Sequence, residues 1–155
     1  MTRTDPATTE ITDTLDSFYC YNITAALWAD AVINRLEGLA IFLLRDQLAE
    51  VAGRAHAAAR RLADRIGDLG GAITADPRQL LDRSIPVDFA LPDCSDIASI
   101  GEYGLQRLNA IIAAYETFLD RVRGTDDLSF HLVLDLLAAE THQRADLQAA
   151  LGRRS

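Results

Sequence analysis

The chain has 155 residues, the usual size of one domain, and 49% of them are hydrophobic against 25% that are charged. This composition is enough for a closed core and excludes intrinsic disorder for most of the chain. The 23 acidic residues outnumber the 15 basic ones, all of which are Arg, so the net charge is −8. A nucleic-acid-binding protein needs a basic face or tail, and Arg3, Arg153 and Arg154 are too few to make one. DNA binding is therefore not expected.

The two cysteines, Cys20 and Cys94, are too few for a disulfide framework and lack the spacing of a metal site. No segment resembles a signal peptide, and no apolar run approaches the roughly 18 residues of a membrane span. These observations predict a soluble, cytoplasmic protein without a membrane partner.

Four amphipathic helices are predicted, because apolar residues recur at alternating steps of three and four between the glycines and prolines. In chain order, we predict a flexible N-terminal segment at 1–12, helices at 13–37 and 40–69, a crossover at 72–94, and helices at 95–123 and 126–152. A single helical turn is expected at 77–83, inside the crossover.

The connections between these helices predict their arrangement. Short joins at Gly38 and Gly124 make each consecutive pair antiparallel, while the crossover between the two hairpins is long. Two hairpins joined by a long crossover have the connectivity of the ferritin-like four-helix bundle. With no internal repeat and no second domain, residues 1–155 are predicted to form one all-α domain of this type.

The end of the second predicted helix resembles the Dps family of miniferritins. That family ends this helix with Ala-Glu-Arg, a spacer and Leu-Gly-Gly, and here Ala63-Asp64-Arg65 is followed by Leu69-Gly70-Gly71. The likeness spans roughly residues 15–151, and its other matching positions are Leu36-Glu37-Gly38, Tyr115, Gly124, Asp126 and Glu140. The resemblance implies a homo-oligomer, either a dimer or a dodecamer-type shell, that oxidises ferrous iron with oxygen or peroxide and stores the ferric product.

A di-iron centre inside such a bundle uses Glu from two helices and Glu-x-x-His from the other two. Carried over from the resemblance, these positions fall on Asn22, Ala55, Ala58, Leu108, Glu140 and Gln143. Only Glu140 is a carboxylate, so most ligand positions are substituted. A shift of the last helix by one residue would place Ala139 and His142 at its two positions; we prefer the Glu140 and Gln143 register because it keeps Tyr115 and Gly124 aligned.

The resemblance also implies a second kind of metal site, shared between two subunits. Its five positions fall on Ile33, Arg45, Ala49, Arg60 and Asp64, with the last two coming from the partner subunit. Only Asp64 is acidic, and arginine repels iron. The resemblance therefore supports fold and assembly more firmly than ferroxidase activity.

The remaining polar residues have alternative interpretations. His56, Arg60 and Asp64 form a row on one flank of the second helix, which indicates a subunit contact or a solvated charge ladder, or alternatively a metal site. Glu140 with Asn22 and Gln143 indicates a hydrogen-bond network that includes Tyr115 or Arg144, or alternatively a rebuilt mononuclear site, because a buried carboxylate needs a partner.

Two functions stay open from the sequence. The first is an iron-storage or oxidative-stress protein with a degenerate or relocated metal site, for which the candidate ligands are Glu140, Asp64, His56 and His142. The second is a non-enzymatic structural or binding protein that has lost ferroxidase activity. Iron is the cofactor that the resemblance allows; a haem of the bacterioferritin type is not expected, because it needs an axial methionine inside the bundle and the only methionine is Met1. No catalytic residue is assigned.

Overall fold

The computed structural model describes residues 6–152, and this part of the chain consists of helices and connecting loops. The helices are α1 (Pro6–Ile33), α2 (Leu39–Asp68), α3 (Leu80–Arg83), α4 (Ile97–Val122) and α5 (Asp127–Ala150), with a 3₁₀ turn at Pro77–Gln79. Helices α1 and α2 form one hairpin, α4 and α5 form the other, and a long crossover joins them. The predicted all-α bundle and its helical turn in the crossover are confirmed. Within the described range, no helix is long and apolar enough to cross a membrane.

The predicted flexible segment at 1–12 is wrong for residues 6–12, which form the first turns of α1. Ile11 packs against the core and Thr12 is buried, so the apolar face of α1 extends further back than the sequence pattern suggested. Glu10 also pairs with Arg121 of α4. Residues 1–5 and 153–155, which include Met1, Arg3, Arg153 and Arg154, lie outside the described part of the chain.

The other helix boundaries differ from the predicted ones by a few residues. Helix α1 ends at Ile33 instead of 37, and the backbone N–H of Glu37 donates to Cys94 O at 3.1 Å. Helix α4 begins at Ile97 instead of 95, because Asp96 caps it by accepting from the N–H of Ala98 at 3.0 Å. At the end of α2, Gly70 adopts a φ of 82°, a left-handed conformation that glycine adopts without strain.

Two apolar clusters fill the bundle. One is built around aromatic residues, in which Phe18 meets the rings of Tyr115 and Phe118 edge to face, with centroids 4.9 and 5.5 Å apart. The other includes Trp28 and Leu147. A small cavity is lined by residues of both clusters, so it marks their junction.

The crossover is held to the bundle by polar contacts. The carboxylate of Asp16 accepts from the N–H and the hydroxyl of Thr74, at 2.8 and 2.6 Å. Further along, Trp28 Nε1 donates to Ala90 O at 3.0 Å. These contacts fix both halves of the crossover against α1.

A charged network joins the end of α2 to the start of α5. Arg65 donates to Asp126 Oδ1 at 2.9 Å and to Ser129 Oγ at 3.0 Å, while the hydroxyl of Ser129 donates to Asp126 Oδ2 at 2.6 Å. Burial raises the pKa of Asp126, but the bonds from Ser129 and the charge of Arg65 outweigh it, so the net pKa is lowered. The ionised carboxylate is thus the form that the fold stabilises.

We expect Asp126→Asn to lower the free energy of unfolding by about 1–3 kcal/mol at pH 7, because it removes charge-assisted hydrogen bonds that are largely buried. The contribution of a carboxylate with a lowered pKa is present above its ordinary pKa and is lost as pH falls through the lowered one. The deficit should therefore shrink in strong acid. Urea unfolding at neutral and acidic pH measures both effects. Asp127→Asn, at the exposed neighbouring position, is the control and should cost less than about 1 kcal/mol, because it removes only a first-turn charge at the helix N-terminus. An equal loss in both variants would contradict the assignment.

Candidate functional site

The structure does not bring the four candidate metal ligands together. Glu140 is partly buried and lines the internal cavity, whereas His56 and Asp64 are exposed on α2. His142 is exposed on α5, where its Nε2 lies 3.4 Å from Asp146 Oδ2. Between residues 6 and 152, no three or more His, Cys, Asp or Glu side chains are placed to hold a metal ion.

Gln143, and not His142, faces the interior. Its side chain is 1% exposed and its Nε2 donates to Gln47 Oε1 of α2 at 3.2 Å. Gln143 and the cavity-lining Glu140 therefore both face the bundle interior, whereas His142 does not.

Asn22 lies in the core and is fully buried. Its Nδ2 donates to Phe18 O at 2.8 Å and to the hydroxyl of Tyr115 at 3.1 Å. Asn22 and Tyr115 are thus bonded to each other, but the network that was expected around Glu140 is not formed, because Glu140 bonds to neither. Arg144 does not join it, because its Nη1 donates to Asn109 Oδ1 at 2.9 Å.

Glu140 stands apart from this network, with no hydrogen bond or ion pair to the rest of the described chain. It lines the internal cavity and also a surface groove between α2 and α5 that includes Arg54 and Asp135. Burial raises the pKa of Glu140 from its ordinary value of 4.5 to about 7, against an opposing effect of Arg54. Burial and the nearby Glu140 also raise the pKa of Tyr21 and Tyr115.

Arg107 of α4 is the residue of this region that the sequence pattern did not single out. Its side chain is 4% exposed, and its guanidinium lies over the rings of Tyr21, Trp28 and Phe89, 5.4–5.8 Å from their centroids. Its Nη1 donates to Asp88 O of the crossover at 2.8 Å, and burial lowers its pKa. The sequence indicated its location only indirectly: Arg107 comes one residue before Leu108, close to the apolar face of α4.

Three buried polar atoms lack a hydrogen-bond partner among the described residues: Asn22 Oδ1, Arg107 Nη2 and Gln143 Oε1. Asn22 and Arg107 line the internal cavity, whose volume is about 30 Å³. A cavity of this size holds about two water molecules, and the two side chains offer one acceptor and one donor. Water in this cavity can donate to Asn22 Oδ1 and accept from Arg107 Nη2.

The residues at the other ligand positions are apolar. Ala55, Ala58 and Leu108 are buried and pack in the core, and none has a metal-binding atom. One carboxylate, two amides and no imidazole cannot hold two iron ions, which need several anionic or imidazole ligands. The bundle interior therefore does not fit a di-iron centre.

The positions of the inter-subunit site lie mainly on the outside of α2. Arg45, Ala49, Arg60 and Asp64 are exposed, and Ile33 at the end of α1 is partly buried. Two of these residues, Arg45 and Arg60, are cationic and repel a metal ion, and only Asp64 is a carboxylate. This set does not fit a metal either.

We expect Glu140→Gln to raise the free energy of unfolding relative to the unmodified protein by about 2–3 kcal/mol above pH 7, and to change it little below pH 4.5. A carboxyl group with a raised folded-state pKa contributes stability at low pH that is lost as pH rises through that pKa, whereas the amide does not ionise. The charged and titratable groups around Glu140 are Arg54, Arg107, Tyr21 and Tyr115, together with Arg61 and Asp135 of the surface groove.

Urea unfolding of both proteins between pH 4 and pH 8 checks this expectation. Glu116→Gln changes an exposed glutamate of α4 and is the matched control, whose pH profile should follow that of the unmodified protein. A pH-independent difference for Glu140→Gln would contradict the raised pKa.

Comparison by sequence gives no relative. No protein-family profile matches the chain, and no curated protein is significantly similar to it.

Comparison by structure is informative. The bacterioferritin-related protein of Bacteroides fragilis, a dodecameric thioferritin, superposes with a TM-score of 0.88 at 21% identity, over 94% of this chain and 86% of that one. Dps of Thermosynechococcus elongatus gives 0.84 at 19% identity, over 96% and 97%. A C-terminal deletion mutant of Mycobacterium smegmatis Dps gives 0.84 at 14% identity, over 93% and 98%. The chain therefore has the ferritin-like fold of the Dps group.

Proposed function

We propose that this chain is a Dps-like iron-handling protein that assembles as a homo-oligomeric shell, and that its bundle interior contains no di-iron oxidation centre. The observation that carries the proposal is the bundle itself, which shares nearly its whole length with Dps proteins but has Ala55, Ala58 and Leu108 packed in its core.

Assembly is supported by the comparison with the Bacteroides protein, which is described as dodecameric. The net charge of −8 is compatible with a shell that concentrates cations. Iron in this proposal is cargo, and surface carboxylates are the groups that would bind it, since hard cations prefer oxygen ligands. A cytoplasmic location and the absence of DNA binding belong to the same proposal; the two free, buried cysteines are consistent with the location.

The proposal is tested by adding ferrous iron to the protein in air. We expect the near-ultraviolet absorbance of ferric iron to rise no faster than in buffer, and iron to co-elute afterwards with the assembled protein on gel filtration. A fast, saturable oxidation phase would show that an intact oxidation centre exists and would contradict the second half of the proposal.

Glu140→Ala serves as the matched variant in this assay. It removes the one carboxylate at the substituted ligand positions, so iron retention should match that of the unmodified protein. A loss of iron confined to this variant would place metal inside the bundle.

A second candidate function is a non-enzymatic structural or binding protein, as a shell or dimer, that has lost ferroxidase activity. Ala55, Ala58 and Leu108, which close the core with ordinary packing at the substituted ligand positions, favour it. In that case no iron co-elutes with the protein, and EDTA leaves the melting temperature unchanged. A large drop of the melting temperature in EDTA would rule this candidate out.

A further inference from the structure

Arg107 carries its positive charge inside the bundle without a carboxylate partner. Its side chain is 4% exposed, and it forms no ion pair with any residue between 6 and 152. Three aromatic rings and Asp88 O stabilise the guanidinium, but neither kind of contact neutralises its charge. A buried charge without a counter-ion is strongly unfavourable. An anion beside Arg107 would offset this cost.

Glu140 does not act as that counter-ion. It lines the same internal cavity as Arg107, yet the two side chains form neither an ion pair nor a hydrogen bond with each other. Burial also raises the pKa of Glu140 to about 7, so its carboxyl group is partly protonated at neutral pH. The cavity therefore keeps an excess of positive charge, which favours an anionic occupant.

Three polar groups at the cavity determine the hydrogen bonds that an occupant can make. Arg107 Nη2 is a donor without a partner, and Asn22 Oδ1 is an acceptor without a partner. Gln47 also lines the cavity, and its Oε1 already accepts from Gln143, which leaves its Nε2 as the group that can donate. An occupant that matches this set accepts two hydrogen bonds and donates one.

The rest of the cavity wall is largely apolar and leaves little room. It includes Leu44, Leu48 and Leu108, and the cavity volume is about 30 Å³, the space of about two water molecules. This volume excludes tetrahedral anions such as sulfate, and the apolar wall strengthens the attraction between a small anion and Arg107. Water alone satisfies the hydrogen bonds but supplies no negative charge.

We propose that this cavity is a binding site for hydrogencarbonate, a small planar anion with a single negative charge, two oxygen atoms that accept and one hydroxyl group that donates. Its carboxylate oxygens accept from Arg107 Nη2 and Gln47 Nε2, and its hydroxyl donates to Asn22 Oδ1. Arginine is suited to planar oxyanions of this kind. Because these residues belong to α4, α2 and α1, the bound anion joins three helices and stabilises the folded bundle. The site involves neither iron nor subunit contacts, so it is independent of the function proposed above.

Urea unfolding in sealed cuvettes at pH 7, with EDTA present, measures this binding. A ligand that binds only the folded protein raises the free energy of unfolding as its concentration rises, and this dependence gives the dissociation constant. Sodium chloride keeps the ionic strength constant. We expect a dissociation constant of about 0.1–10 mM, a range that a ligand of four non-hydrogen atoms can reach.

Nitrate is the matched probe, because it has the same planar shape and single negative charge but no hydroxyl group. It places an accepting oxygen against the acceptor Asn22 Oδ1, so it should bind about 10-fold more weakly than hydrogencarbonate. This comparison uses the unmodified protein and does not depend on the folding of any variant.

Three variants test the donors. Arg107→Met removes the charge and keeps a long side chain, so hydrogencarbonate should bind about 30-fold more weakly or not measurably. Gln47→Leu, at a half-buried position, removes one donor and should weaken binding about 3-fold to 10-fold. Arg35→Met changes an exposed arginine just after α1 and should bind like the unmodified protein. Circular dichroism checks the fold, and if Arg107→Met does not fold, Gln47→Leu and nitrate decide the question.

Each outcome has a definite meaning. If hydrogencarbonate stabilises the unmodified protein no more than chloride does at equal ionic strength, the proposal is wrong. If it stabilises Gln47→Leu and every folded arginine variant equally, the effect is a general effect of salt and the site is again wrong. Nitrate binding as tight as that of hydrogencarbonate overturns the bond to Asn22. None of these results bears on iron retention, which is measured separately.

Discussion

An ionised side chain in the middle of a helical bundle is unfavourable by several kcal/mol unless hydrogen bonds, a counter-charge or a metal offsets it. The interior of this protein follows that constraint mainly by being neutral. Asn22 and Gln143 are amides, and Ala55, Ala58 and Leu108 are apolar. These residues allow the two apolar clusters to meet without a metal between them.

Two charged residues remain at the junction of the clusters, and each is accommodated differently. Arg107 lies among three aromatic rings and donates to a carbonyl of the crossover, so its positive charge is held by cation–π contacts and one strong hydrogen bond. Glu140 has no aromatic ring or hydrogen-bond donor to stabilise its charge, and its pKa is raised because burial removes the carboxylate from water. The crossover helps to stabilise the buried charge of Arg107, because Asp88 O can accept its hydrogen bond only when the crossover lies against α4.

Much of the fold could be predicted, because an amphipathic helix shows itself in the spacing of apolar residues and a join shows itself in nearby glycines and prolines. The boundaries were less accessible: the start of α1 depends on Ile11 reaching the core, and the start of α4 depends on whether Asp93 or Asp96 is free to cap it. In the site, the buried position of Gln143 follows from helical periodicity once the register is chosen. Arg107 could not be found in this way, because its aromatic surroundings come from α1 and from the crossover, far away in sequence.

The outer face of α2 illustrates a different limit of sequence reasoning. The row of His56, Arg60 and Asp64 was recognisable as a subunit contact, a charge ladder or a metal site, and the folded subunit leaves all three side chains exposed. Exposure is a property of the folded subunit. It becomes visible only when the rest of the bundle is in place.

Trp28 is the only tryptophan of the chain, and it lies where α1, the crossover and the cavity meet. Its indole is almost completely buried, donates to Ala90 O, and has the guanidinium of Arg107 5.4 Å from its ring centroid. Its fluorescence consequently comes from one defined place. Detachment of the crossover or rearrangement at the cavity would expose the indole to water and shift its emission to longer wavelength, so the unmodified protein carries its own optical reporter of the junction between its two cores.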